Sequence, residues 1–340
     1  MEFFKKNGLG LLLCLAIAAP AWLLGQAAPV VGGPVFAILI GMTLTLFWND
    51  KGRVQAGIAF TSKKILQYAV ILLGFGLNLS EIAKVGAQSL PIIVSTITTA
   101  LAVSFLLCRL LKMKANISTL VGVGSSICGG SAIAAAAPVI GADDEEIAQA
   151  ISVIFLFNVI AALTFPTLGG ALGLSNDGFG LFAGTAVNDT SSVVATGYAF
   201  SEAAGDFATM VKLTRTLAII PAVLVFAAIN LHLKKKESAQ ANGVKVSIRS
   251  IFPWFILAFL AMSLLTSLGL LPAGLVSGLK TISKFLMVAA LAAIGLNTNF
   301  KSLCRSGAKP MLHGFIISTL VVLVAIGVEY MIGIAPYGTL

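Results

Sequence analysis

Long apolar stretches alternate with short polar connections from one end of the chain to the other. Crossing about 30 Å of hydrocarbon takes roughly 17–25 residues of helix. On that measure the pattern predicts eleven spans. They lie near Leu9 to Gly25, Val30 to Trp48, Ile65 to Leu79, Ala87 to Cys108, Ser118 to Ile140, Ile147 to Leu168, Gly178 to Phe200, Val211 to Leu231, Phe252 to Leu268, Thr281 to Asn297 and Lys309 to Tyr330. Lys5 and Lys6 ahead of the first stretch resemble the start of a signal peptide, but ten further stretches follow, so the first is read as a retained helix. The expected fold is therefore all-α, a single polytopic membrane domain. Residues 9–233 form its first part, 234–250 a cytoplasmic linker, and 251–340 the last three helices.

Basic residues orient this pattern, because Lys and Arg in short loops favour the cytoplasm while Asp and Glu carry little weight. With the N-terminus inside, the inner loops hold Lys51, Arg53, Lys63, Lys64, Arg109, Lys112, Lys114, the run Lys234 to Lys236, Lys301 and Arg305. The outer loops keep Lys84 and Lys280, the acidic run Asp143 to Glu146, and the pair Glu202 and Asp206. An odd number of crossings then puts the C-terminus on the outer, periplasmic side.

Composition agrees: 58% of residues are apolar and 10% charged, with a mean hydropathy of +1.01. The net charge of +9 is carried in loops between spans, so it reports orientation and nucleic acid is not carried forward as a partner. The four cysteines have neither metal-ligand spacing nor a disulfide framework.

Two internal likenesses stand out. Segments beginning at Lys63 and Thr281 each end a helix in Gly-Leu-Asn, at Gly76 to Asn78 and Gly295 to Asn297, on opposite sides of the membrane in this topology. An inverted-topology repeat predicts such a pair. Gly-Leu-Asn is also an ordinary helix end, so Asn78 and Asn297 are either caps or polar lining of a cavity. The second likeness sets Gly124 to Ala134 beside Gly184 to Ala195. Both put small and polar residues in mid-span, which predicts two discontinuous helices, near 118–140 and 178–200, or close helix packing.

Asp189 is the most informative position, since an ionisable group inside a span marks a substrate route, an ion site or a proton relay. Asn188, Thr190, Ser191 and Ser192 supply oxygens that suit a small cation, so Na⁺ and H⁺ are both open as coupling ions. A salt bridge that only fixes packing is the alternative. Lys212 and Arg215 share one helix face near the start of the next span; Arg215 suits an anion, is a partner in reach of Asp189, or snorkels to the interface. If the earlier helix breaks at Gly129 and Gly130, the freed amides can hold an anion with Ser125, Ser126 and Ser131 beside them, and Cys128 sits in the same stretch. Nucleotide-binding glycine spacing is absent, and no catalytic constellation appears, so the chain is not expected to be an enzyme. His313 and Glu329 lie at opposite ends of the last span.

The GFGLN string at Gly74 to Asn78, GVGSSICGGSAIAAAAPVI from Gly122, GTAVNDTSSVVATG from Gly184 and IGLN from Ile294 resemble the bacterial inner-membrane sulfate exporter family, the YeiH-like proteins, over nearly the whole chain. More distantly the chain is similar to cation/proton antiporters and bile-acid/sodium symporter-like carriers. The resemblance implies an inner-membrane secondary transporter with inverted repeats and elevator-like movement, with Ser125 to Ser131 and Asn188 to Ser192 as its crossing segments. The expected cargo is a small anion, sulfate or another sulfur-containing or organic one, with no cofactor beyond the coupling ion. A channel is the alternative, then a receptor or enzyme. Whether the chain acts alone or as a homodimer stays open.

Overall fold

The computed structural model describes residues 2–27, 32–48, 51–219, 221–222, 224–226, 228, 254–297 and 307–333. The expected linker 234–250, Lys301 and Arg305 fall outside them. Among the described residues the elements are helical, and six are long and apolar enough to cross a membrane.

Two lobes pack side by side. The first gathers α1 (Glu2–Ala27), α2 (Gly32–Phe47) and a bent span, residues 52–76, that contains α3 (Gln55–Phe60) and α4 (Leu66–Leu73). It is completed late in the chain by α12 (Trp254–Ser267) and α13 (Ala273–Asn297). The second lobe holds α5 (Leu79–Leu110), α6 (Ala115–Ser126), α7 (Gly130–Ile140), α8 (Asp144–Ala171), α9 (Asn176–Ala186), α10 (Thr190–Phe200) and α11 (Glu202–Thr216), and is closed by α14 (Ala308–Ile332).

The two Gly-Leu-Asn helices, α4 and α13, lie against each other. Ser283 Oγ donates to the Ala69 carbonyl at 2.6 Å, and Gly76 is level with Lys280, so the pair runs antiparallel. Their Gly-Leu-Asn ends therefore point to opposite ends of the bundle. Glycines near both ends allow close approach to a further helix: a methyl group on Gly295 would stand 2.4 Å from the Ile38 carbonyl oxygen of α2, and one on Gly74, two residues before Gly76, would stand 2.4 Å from that of Phe259 in α12. In a bilayer, packing of this kind replaces the hydrophobic drive between helices.

Two of the eleven expected spans double back instead of crossing. A straight helix carries Asn176 and Ser201 roughly 37 Å apart at 1.5 Å per residue; here Ser201 Oγ donates to Asn176 Oδ1 at 2.6 Å, and the Phe179 and Phe200 rings stack at 4.0 Å. α9 and α10 are thus the two arms of a re-entrant hairpin. The same holds for α6 and α7. Asn116, at the start of α6, donates to Glu146 at 2.9 Å, and Glu146 belongs to the cap of α8 that follows α7 directly. Ile133 of α7 meanwhile lies against Gly124 of α6.

α8 relates the hairpins to each other. Its start touches the base of the α6–α7 hairpin through Glu146, while Gly169 near its end touches Phe179 and Phe200 at the base of the α9–α10 hairpin. The hairpins enter from opposite ends and meet in the middle. One placement changes in consequence: the acidic run 143–146, expected outside, shares an end with Lys114, which lies 3.8 Å from Glu146. Removing two crossings leaves their parity unchanged.

Overpacking the α2–α13 crossing tests this arrangement. Gly295→Leu should cost about 1–3 kcal/mol or more, read as an earlier thermal transition in detergent. Gly278→Leu, on the same helix with open space around it, should leave the transition in place; equal transitions for the two variants would refute the crossing.

Candidate functional site

The tip of the first hairpin is Ile127 to Gly129, and that of the second is Val187 to Asp189. Gly129 turns the chain with φ +67°, a conformation open to glycine, and a methyl group on it would stand 3.3 Å from Cβ of Asp189. The tips are therefore in direct contact.

A tip that ends one helix and starts another leaves carbonyls and amides without intrahelical partners. In mid-membrane no bulk water satisfies them. The carbonyls are met by two side chains of α11. Arg215 donates from Nε to Ser126 O and from Nη2 to Ser125 O, each at 2.8 Å, and from Nη1 to Thr185 O and Val187 O. Lys212 Nζ donates to Ile127 O at 2.7 Å and Val187 O at 3.2 Å. Both side chains are fully buried and bridge both hairpins. α11 reaches this depth because α9 offers it glycine: a methyl group on Gly184 would stand 2.7 Å from Val211 Cβ.

These contacts correct two expectations. α11 begins at Glu202 instead of near Val211, so Lys212 and Arg215 stand at the depth of the tips and not near the start of a span. Arg215 spends its donors on backbone carbonyls and makes no ion pair with Asp189 among those found in the described residues. It neither snorkels nor presents a free fork to a ligand. Lys212 likewise makes no ion pair with Asp189 among those found in the described residues.

The amide side of each tip differs. α10 starts at Asp189, whose carboxylate accepts from Ser191 N at 3.0 Å and also from Ser191 Oγ. α7 starts at Gly129 with no side-chain cap. Gly130 is half-buried with open space around it and Ser131 is exposed, as Asp189 and Thr190 are half-buried on the facing tip. Ser126, Cys128, Asn188, Ser191 and Ser192 are buried around them. Ser126 Oγ is turned back to Val123 O. Ser125 Oγ is fully buried and has no partner.

One participant escaped the sequence reading. Asn158 of α8 accepts from the amides of Asn188 at 3.2 Å and Asp189 at 3.4 Å, holding the second tip, while its buried Nδ2 is left without a partner. Its signal was a lone amide in the apolar run Val153 to Leu163. Asn78 and Asn297 lie elsewhere. Asn78 is an exposed cap of α5 that accepts from Ser80 N, and Asn297 is exposed and bonded to Gln55 and Ser62. His313 is buried beside Ser118 and Ser104, at the base of the first hairpin.

The family model described as conserved hypothetical protein 698 matches residues 9–314. A "UPF0324 membrane protein" of Streptococcus mutans is 54% identical over 98% of this chain and 99% of its own length. Those of Streptococcus pyogenes serotype M3 and Fusobacterium nucleatum are 55% and 52% identical, each over 96% of this chain and 97% and 98% of their own lengths.

Removing Arg215 should strand several buried carbonyls at once. Arg215→Met is expected to lower stability by at least about 3 kcal/mol, seen as aggregation or early unfolding in detergent. Lys84→Met, at an exposed position on α5, should behave as wild type; a stable, monodisperse Arg215→Met protein would overturn the role given to the guanidinium.

Proposed function

The chain belongs to the conserved hypothetical protein 698 family of membrane proteins, and from that premise we propose that it is a secondary transporter of a small anion, working by alternating access. The reading rests on one observation: two hairpins entering from opposite ends meet at a cationic centre in mid-bundle. Lys212 and Arg215 contribute two positive charges and Asp189 one negative. The half-helix ends add roughly half a charge each, two of either sign, and so cancel. An excess of about one positive charge favours an anion. The uncapped amides at Gly130 and Ser131, with the unpartnered Ser125 Oγ and Asn158 Nδ2 nearby, are suitable donors to it. Sulfate and small sulfonates or carboxylates fit that chemistry.

Asp189 is the coupling group in this reading. Its protonation adds one positive charge to the centre, so proton and anion favour each other. Na⁺ is the weaker candidate, because a hard cation needs several oxygens and the tip carbonyls are already taken by Lys212 and Arg215. The contact between Gly129 and Asp189 supports a carrier over a channel, which needs a continuous pathway. The proposed setting is a bacterial inner membrane with the N-terminus inside.

The test is a solid-supported-membrane current and radiolabelled flux assay on proteoliposomes, with sulfate, sulfite, thiosulfate, taurine and small carboxylates under separate H⁺ and Na⁺ gradients. Wild type should give substrate-dependent transport driven by H⁺. Asp189→Asn should insert and fold normally and lose at least about tenfold of the gradient-driven rate, the equivalent of 1.4 kcal/mol. Full coupling in that variant would remove Asp189 from the mechanism.

A further inference from the structure

Away from the hairpin tips, the two lobes leave a cavity of about 380 Å³ between them. One wall comes from the end of α1, the start of α2 and the first half of α13, with Trp22, Gln26, Lys284 and Met287. The other is the junction of α10 and α11, with Tyr198 and Glu202. In the N-inside orientation this is the outer end of the bundle.

The charges here are arranged unusually. Lys284 pairs with Glu202, and Lys280 reaches both Glu202 at 3.4 Å and Asp206 at 2.8 Å. Asp206 also accepts from the Tyr198 hydroxyl. The lysines are the sheltered partners: their side chains are 18% and 26% exposed, whereas that of Glu202 is 62% exposed. Asp206, at 13%, is held from two directions. Glu202 is thus a tethered carboxylate at the mouth of a cavity, resting on the half-buried Lys284 ammonium, with which a free anion could pair in its place. An exposed ion pair of this kind contributes little, so exchange costs little. The surrounding wall is largely apolar and aromatic. Trp22 meets Phe285 edge to face, and Lys284 lies 6.0 Å from the centre of the Tyr198 ring.

We infer that this cavity is an outer binding site for small organic anions, sulfonates or carboxylates with a short apolar body, whose acid group takes the place of Glu202 on Lys284. The inference names the substrate class of the proposed transport and rests on that reading for its purpose. The lysine selects charge, and the Trp22, Met287 and Tyr198 walls favour a molecule with carbon to bury over a fully hydrated inorganic anion. Because Lys284 belongs to one lobe and Glu202 to the other, an anion that displaces Glu202 removes one tie between the lobes at this end and leaves Lys280 on Asp206.

Trp22 reports occupancy directly. With Trp48 and Trp254 changed to Phe it is the sole tryptophan, and its emission can be titrated in purified, detergent-solubilised protein at constant ionic strength. Butanesulfonate and butanoate should give saturable changes, at least about tenfold tighter than inorganic sulfate, with no response to butanol. Glu202→Gln should tighten binding several-fold, since the competing carboxylate is gone. Lys284→Gln should weaken it at least tenfold while Lys284→Arg retains it, which separates loss of charge from misfolding. Absence of a saturable signal, or equal affinity in Lys284→Gln and wild type, overturns the site. Asp189→Asn should keep the Trp22 response. Binding without flux in wild type would count against transport and leave this site standing; flux without a Trp22 response would do the reverse.

Discussion

Two buried cations bound to backbone carbonyls are the interaction on which the second lobe depends. Lys212 and Arg215 lie deep among helices with no carboxylate in ion-pair contact among the described residues, a position that desolvation makes costly. The negative ends of α6 and α9 compensate them, offering five carbonyls from Ser125, Ser126, Ile127, Thr185 and Val187. Neither side of this arrangement is stable alone. The carbonyls would be orphaned in a medium without water, and the cations would be unpaired. Together they join the two hairpins through one turn of α11.

Close approach is the second requirement, and it explains where the glycines fall. The donors of α11 reach the tips only because Gly180 and Gly184 let it sit against α9. A methyl group on either would meet Phe207 or Val211 within 2.8 Å. Gly129 plays a different part, turning the first tip so that it can meet Asp189. In the first lobe, Gly41 and Gly295 face each other where α2 crosses α13. Small residues thus set distances between backbones, and polar side chains then fill the gaps that such distances create.

Much of this was legible in the chain. Spans follow from hydropathy, and the two interrupted segments follow from Gly124 to Ser131 and Asn188 to Ser192, where apolar residues would be expected. Their doubling back was not legible, because a broken straight helix and a hairpin need the same small and polar residues at the break. What separates them is the meeting of Asn176 with Ser201 and of Asn116 with Glu146, which are tertiary contacts. The acidic run 143–146 was misplaced for the same reason, since its side depends on whether the preceding segment crosses. Arg215 was recognised as important, with an anion, Asp189 and the interface all open to it, and packing gives it backbone carbonyls instead. Residue type announces a planar donor, but only packing shows whether it faces a ligand or a row of carbonyls. Asn158 was visible as a lone amide in an apolar run and passed over, since its use depends on which turn of α8 meets the second tip.

The opposed hairpins also bear on how a single centre can be reached from two sides. Each hairpin reaches only to the middle of the bundle, so on its own side it is the layer between the centre and the water. α8 passes both, touching the base of one at Glu146 and of the other at Gly169, and holds the second tip through Asn158 in between. A movement of the second lobe along the first would carry the centre as a unit, because Lys212 and Arg215 tie both tips to α11. In the proposed alternating access the opening would then lie at the lobe boundary, where the Glu202 carboxylate paired with Lys284 is exposed, and not at the tips, where parting would strand the carbonyls that Lys212 and Arg215 satisfy.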